Sequence, residues 1–250
     1  MSEEKIEAII LKQQDYREND ALLTVLSLQH GKIGFVCRGI RKMVSKNATS
    51  CMPFVRSEMM FDYKEGATLF SLKSAHVLQA RRHVREDLER MSAAQLMSEV
   101  ADRLLQQGEA DLETAAEVYE LLDECLDWLD QGEDLYLILC LYLAQVLKIE
   151  GLEPVVDECV LCSNTQIQTI SIKEGGFLCP DCAAAVHEKA RPVDVLRRFR
   201  LINRAEMEHK DILKKYGPWT KNDAGILVEF ITIHTGIPLE SWRFLERLCN

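Results

Sequence analysis

Four cysteines stand in two short pairs, Cys159-Val160-Leu161-Cys162 and Cys179-Pro180-Asp181-Cys182, with sixteen residues between them. A C-x-x-C pair turns two sulfurs to one side of a tight knuckle, and two knuckles supply the four ligands of a tetrahedral zinc site. The spacing predicts a structural Zn2+ on Cys159, Cys162, Cys179 and Cys182. Four thiolates leave no position for water or substrate, so the metal would do no chemistry. It would stabilise the fold by on the order of 10 kcal/mol of apparent binding energy. The bland alternative is a vacant or degenerate site. Thioredoxin-like redox chemistry needs one C-x-x-C at the end of a strand and has no use for a second. A zinc deaminase needs H-x-E and P-C-x-x-C, whereas no H-x-E occurs here and Pro180 lies inside its pair. The remaining cysteines, Cys37, Cys51, Cys125, Cys140 and Cys249, have no partner at ligand spacing and read as buried thiols.

A second set of residues points to polyanions. Residues 21–57 carry Lys32, Arg38, Arg41, Lys42, Lys46 and Arg56 and no Asp or Glu, in a chain of formal net charge -10. Fixed positive charge without local carboxylates attracts polyanions through Coulomb attraction and counterion release; otherwise it is a solvated surface. The segment balance supports the contrast: +2 over residues 1–80, −11 over 81–150 and −1 over 151–250. The acidic segment, residues 109–134 especially, reads as a solvated outer face that repels phosphate rather than an acid–base pair.

The elements that must position these groups follow from hydrophobic period. Five short apolar, β-branched runs lie within residues 6–77, with turns at Gly31 and at Lys64-Glu65-Gly66. They predict a small closed barrel of the OB type over residues 1–79. Such barrels bind single strands with one sheet face and flanking loops. The candidate nucleic-acid contacts are Lys32, Phe35, Arg38, Arg41, Lys42 and Lys46, with Arg81 and Arg82 extending the basic surface. Phe35, Phe54 and Phe61 are either core residues or platforms for base stacking.

Several short motifs within this segment carry a resemblance. Glu7-Ala8-Ile9-Ile10-Leu11-Lys12, Tyr16-Arg17-Glu18-Asn19-Asp20, Leu22-Leu23-Thr24, His30-Gly31-Lys32 and Arg38-Gly39-Ile40-Arg41-Lys42 occur in order, followed by Gln79. His234-Thr235-Gly236, Ser241 and Phe244-Leu245 follow near the C-terminus. The set resembles the RecO family of bacterial recombination mediators along nearly the whole chain. The resemblance implies an N-terminal OB barrel and a helical C-terminal domain, with the tetracysteine present in some members. It further implies binding of single- and double-stranded DNA, annealing of complementary strands, and help to RecA in replacing single-strand-binding protein, together with RecR. It also implies that the helical domain holds the acidic tail of single-strand-binding protein.

From Leu78 the period changes to that of helices. Amphipathic runs cover residues 88–105 and 112–129, and residues 135–147 are apolar nearly all round, as a buried central helix is. After the cysteines, a helix opening at Pro192 carries Arg197, Arg198, Arg200 and Arg204; Arg197, Arg198 and Arg200 form a possible secondary anion site, or are simply exposed arginines. Residues 225–235 should pack beside the central helix, and a last helix over 239–248 should turn Trp242 and Phe244 inward. The predicted class is therefore α+β and multi-domain: a barrel at 1–79, a helical domain at 80–158 and 183–250, and a zinc module inserted at 159–182.

Composition excludes some classes. Hydrophobic content of 47% with 28% charged residues is ordinary for a globular protein, and no apolar run approaches the roughly 20 residues of a bilayer span. The first residues show no secretory signal, so a cytoplasmic, nucleoid-associated location with no membrane partner is expected. Gly31-Lys32-Ile33 lacks the glycine-rich loop and the Ser/Thr of a phosphate-binding loop, so ATP use is not expected. No Ser, His and carboxylate come together recognisably as a hydrolase would need. The leading expectation is a non-catalytic DNA-binding mediator. The alternative is a protein–protein adaptor for which nucleic-acid contact is incidental.

Overall fold

The computed structural model describes residues 2–106, 108 and 111–248, arranged as two compact units, residues 1–132 and 133–250. In the first unit, β1 (Ser2–Tyr16), β2 (Asp20–Ser27), β3 (Gly31–Cys37), β4 (Arg56–Tyr63) and β5 (Leu69–Gln79) close into a barrel in the order β1-β2-β3-β5-β4. The long β1 pairs antiparallel with both β2 and β4, and β3 meets β5 in parallel; this is the five-stranded OB arrangement. β1 can serve two neighbours because its register slips between Ile10 and Lys12, where a bulge bends the strand. Alternate residues point inward, so Ile6, Ala8, Ile10, Leu23, Val25, Ile33, Phe35, Met59 and Phe61 fill one core.

Three aromatic rings anchor that core. Phe35 meets Phe61 edge-on with centroids 5.1 Å apart, and Phe61 lies 4.8 Å from Phe70. Phe35 and Phe61 have no exposed surface and Phe54 is 2% exposed. All three are core residues. The candidate role of Phe35 in base stacking is corrected here: an inward position on β3 gives it a ring partner instead of a base.

Three helices complete this unit: α1 (Arg82–Glu86), α2 (Leu88–Leu104) and α3 (Leu112–Asp130). The last two are started by side-chain caps, Asp87 accepting from the Arg90 amide at 2.9 Å and Asp111 from the Thr114 amide at 3.1 Å. They share the barrel's compact unit, whereas the sequence grouping had placed residues 80–132 with the C-terminal helices. The reason is a set of polar ties. The Arg81 guanidinium, 1% exposed, donates to the Phe54 carbonyl at 3.0 Å, to Asp127 at 2.7 Å and to Asp123. The Gly108 amide donates to the Lys32 carbonyl at 2.9 Å. At the β2–β3 turn Gly31 has φ +59, and a Cβ there would sit 2.8 Å from the Gly108 carbonyl, so only glycine permits this approach.

The second unit is built on α4 (Leu135–Ile149), every residue of which from Leu137 to Leu147 is buried. Helices α6 (Val193–Arg204), α7 (Lys210–Leu213) and α8 (Lys221–Thr235) pack on it. Between α4 and α6 lie the hairpin β6 (Thr169–Ser171) and β7 (Gly176–Leu178) and the short α5 (Pro180–Ala185); α9 (Glu240–Leu248) closes the described chain. The central helix and its packing against residues 225–235 match the hydrophobic period. In α9, Leu245 is the inward residue with no exposure, while Phe244 is 52% exposed, so the expectation for Phe244 is corrected by one helical position. No described helix is long and apolar enough to cross a membrane.

Candidate metal centre and nucleic-acid interface

The Sγ atoms of Cys159, Cys162, Cys179 and Cys182 all lie within 4.8 Å of one another, with Cys162 and Cys179 3.6 Å apart. The intervening hairpin brings the knuckles together. Val160 donates to the Phe177 carbonyl at 2.9 Å and Gln168 to the Leu178 carbonyl at 2.9 Å, so each knuckle hangs on β7. The first knuckle closes with the Ser163 amide on the Cys159 carbonyl at 2.8 Å, Ser163 taking φ 58; the second runs directly into α5, with Cys179 as its cap residue. Gly176 lets the module's edge approach Val155: a Cβ there would lie 2.3 Å from the Val155 carbonyl oxygen. Cys159 and Cys179 are each 1% exposed, while Cys162 reaches the surface.

The electrostatics suit a cation. Burial pushes the Cys159 thiol up, but hydrogen bonds from the backbone at Cys179, Leu161 and Cys162 outweigh it and hold the thiol down to about 6. Cys182 moves the other way because the thiols of Cys162, Cys179 and Cys159 crowd it. One thiolate forms readily and its neighbours then resist ionisation, a conflict that a divalent cation among the four sulfurs removes. The set could hold a metal ion. The other described cysteines, Cys37, Cys51, Cys125 and Cys140, are buried. Cys37 and Cys51 touch, and their mutual hydrogen bond, followed by burial, pushes Cys37 up. Cys249 lies outside the described residues.

The basic residues divide sharply. Lys32 is 7% exposed and its ammonium donates to the Asp102 carbonyl and, at 3.3 Å, to the Asp102 carboxylate. Arg81 is held by Asp123 and Asp127, and Arg56 by Asp123 at 2.7 Å. Lys32 and Arg81 are therefore not offered to a strand; the carboxylates that neutralise them come from α2 and α3. Four cations remain outside: Arg38, Arg41, Lys42 and Lys46 are exposed on the segment between β3 and β4, and Arg82 is exposed at the start of α1. Arg41 shares its charge with Asp15 at 3.0 Å. Among the described residues no carboxylate pairs with Arg38, Lys42, Lys46 or Arg82.

The segment is pinned rather than adrift. The Gly39 amide donates to Asp20 at 2.8 Å and the Arg41 amide to the Asn19 carbonyl at 3.1 Å. Ile40 is buried, and Asn47 accepts from the Ala75 amide at 3.3 Å. These bonds bring the β1–β2 turn alongside, where exposed Arg17 lies 5.1 Å over the Tyr16 ring. Tyr16 and Arg17 were not among the sequence candidates. Their signal was the pairing of β1 with β2, which sets this turn next to a loop twenty residues away.

The secondary anion site does not assemble. Arg198 is 9% exposed and bonds Asp223 at 3.0 Å and Asp194 at 3.1 Å. Arg200 pairs with Asp157 at 2.7 Å, and Arg204 with the same carboxylate. Only Arg197 of that trio is exposed without a carboxylate partner among the described residues. The reason is again long-range: residues 157 and 223 supply acids that the local sequence does not display.

Two families match this chain in succession, one described as Recombination protein O N terminal over residues 1–81 and one as Recombination protein O C terminal over residues 85–243. Relatives named DNA repair protein RecO share its length. That of Bacillus pumilus is 28% identical, and that of Desulforamulus reducens 30%; each alignment covers 98% of this chain and 94% of the relative. The Halalkalibacterium halodurans protein of the same name is 27% identical with the same coverage.

Proposed function

The chain belongs to the recombination protein O family, and we propose that it serves DNA repair as a non-catalytic mediator that binds DNA and brings complementary strands together. The observation that carries this reading is the segment between β3 and β4. There Arg38, Lys42 and Lys46 stand exposed on a closed OB-type barrel, without a carboxylate partner among the described residues. Phosphates of a single or double strand would settle on these cations and on Arg41. Two strands held on one positive surface repel each other less, which favours annealing. In the family's pathway the annealed or cleared strand would pass to RecA with help from a RecR-like protein. The chain would act where the DNA is, in the nucleoid of the cytoplasm.

Salt dependence tests this reading. With about four phosphates engaged, log K for a single-stranded oligonucleotide should fall with log salt at a slope of roughly −3. A flat profile would remove the cationic loop from the mechanism.

The acidic tail of single-strand-binding protein is the partner we assign to the second unit. A cleft of about 630 Å³ runs beside α8 and α9, with Ile226, Leu239 and Trp242 in its wall and Arg191, Lys221 and Arg243 around it. Apolar wall and cationic rim suit a short acidic peptide with an apolar end, even though Lys221 also reaches the Glu246 carbonyl at 2.6 Å and Arg243 the Glu240 carboxylate at 3.0 Å. This cleft is also what favours an adaptor reading, in which partners matter and DNA does not. The oligonucleotide measurement separates the two.

We assign Zn2+ to the four cysteines. A tetrahedral Zn–S bond of about 2.3 Å spaces sulfurs about 3.8 Å apart, which the clustered sulfurs can meet with small adjustments. The ion would tie Cys159 and Cys162 to Cys179 and Cys182 and so hold the hairpin to the start of α5. Metal analysis of purified protein should give one zinc per chain, lost on Cys159→Ser with Cys179→Ser.

A further inference from the structure

The tip of the basic loop is apolar. Met43 is 105% exposed and Val44 86%, the two most exposed large apolar side chains among the described residues. They lie between Arg41-Lys42 on one side and Lys46 on the other. The base beneath them is fixed: Lys42 and Ser45 close turns on the carbonyls of Gly39 (3.2 Å) and Lys42 (2.9 Å), and the Cys51 amide returns to the Asn47 carbonyl at 3.2 Å. Held feet and a protruding apolar pair make a projection that keeps its shape when it meets a partner.

An apolar pair without cover calls for an occupant, and the charges around it say which. A base step of a nucleic acid presents two π faces bordered by phosphates, so an apolar wedge with cations on either side is complementary to it. Val is stiff at its branch point, and the Met thioether is soft and favours aromatic faces. Resting on the DNA-binding reading above, we propose that Met43 and Val44 insert between neighbouring bases of a strand whose phosphates Arg38, Lys42 and Lys46 hold. The wedge opens the stack locally and presents unstacked bases to a complementary strand. It adds a contact that salt does not screen to one that salt does.

The experiment compares the full chain with the double variant Met43→Ser, Val44→Ser, using a single-stranded oligonucleotide that carries 2-aminopurine between purines. The wild type should raise the fluorescence about twofold or more as the base unstacks. The double variant should lose that rise and about tenfold in annealing rate, while its salt slope stays as in the wild type. Met43→Leu with Val44→Ile should restore the signal, and unchanged circular dichroism and thermal unfolding would show that both variants fold. A wild type that binds the oligonucleotide without a fluorescence rise, or a double variant that keeps the rise, overturns the wedge but leaves DNA binding standing. A wild type that does not bind at all overturns the proposed function with it. Two control arms also count against the wedge. One is binding to phosphatidylglycerol vesicles that the double variant abolishes while the DNA signal survives. The other is a dimer in gel filtration that the double variant dissociates.

Discussion

The loop between β3 and β4 and the helix α6 each carry four cations, yet they end in opposite states. Arg38, Arg41, Lys42 and Lys46 stay exposed, and only Arg41 meets an acid, Asp15. On α6, Arg198 is buried between Asp194 and Asp223, and one carboxylate, Asp157, takes both Arg200 and Arg204, which lie one helical turn apart. A guanidinium that bonds carboxylates inside its own unit stabilises the fold and has little field left for a ligand. Density of positive charge along the sequence is thus a poor guide; what decides is whether the fold delivers acids to it.

The largest expected effect comes from the loop. Arg38→Glu, Arg41→Glu and Lys42→Glu together should weaken oligonucleotide binding more than about 100-fold at low salt and flatten its salt slope, because each lost phosphate contact removes about one unit of that slope. Unfolding by urea should barely change. Arg198→Ala should do the reverse. It strands the buried Asp223 and should cost about 3–5 kcal/mol of the second unit's stability, read as a lower urea midpoint, with oligonucleotide affinity intact. Should this variant weaken DNA binding as the loop variant does, the contrast between the two regions breaks.

Acidification sharpens it further. Arg204 first, then Arg200, holds the Asp157 carboxyl below its ordinary range, and Arg198 does the same for Asp194. A carboxyl lowered in the folded state contributes stability above its unfolded value, and that contribution is lost as pH falls through the folded value. Both acids therefore still neutralise α6 well below neutral pH. Oligonucleotide affinity should stay flat from about pH 8 to about pH 5.5, since the loop's own cations do not titrate there; a marked rise over that window would bring α6 into the binding surface. The smallest effect belongs to Arg200→Ala, an exposed pair, which should change stability by no more than about 1 kcal/mol and leave DNA binding alone.

Much of the architecture was legible because it is local. Strand alternation in residues 6–77, the apolar circumference of residues 135–147 and the cysteine spacing each report on a few neighbouring residues, and each element formed where its pattern lay. The fate of individual side chains was less so. Lys32 and Arg81 read as free cations because Asp102, Asp123 and Asp127 lie tens of residues away, on helices whose approach to the barrel no spacing rule encodes. Phe35 could be placed only once β3 had a neighbour to fix its inward face. Phe244 shows the narrower limit: on a nine-residue helix a single step in phase exchanges the inward Leu245 for an outward ring.

Arg81 also bears on how the molecule can be taken apart. A fragment trimmed to the five strands would end before that arginine and leave behind Asp123, the counter-charge of Arg56. It would discard the Gly108 amide that bonds the Lys32 carbonyl and bare apolar surface that α2 and α3 cover. Such a truncation invites aggregation in expression trials, whereas a stop at residue 132 keeps every one of these ties within a single polypeptide.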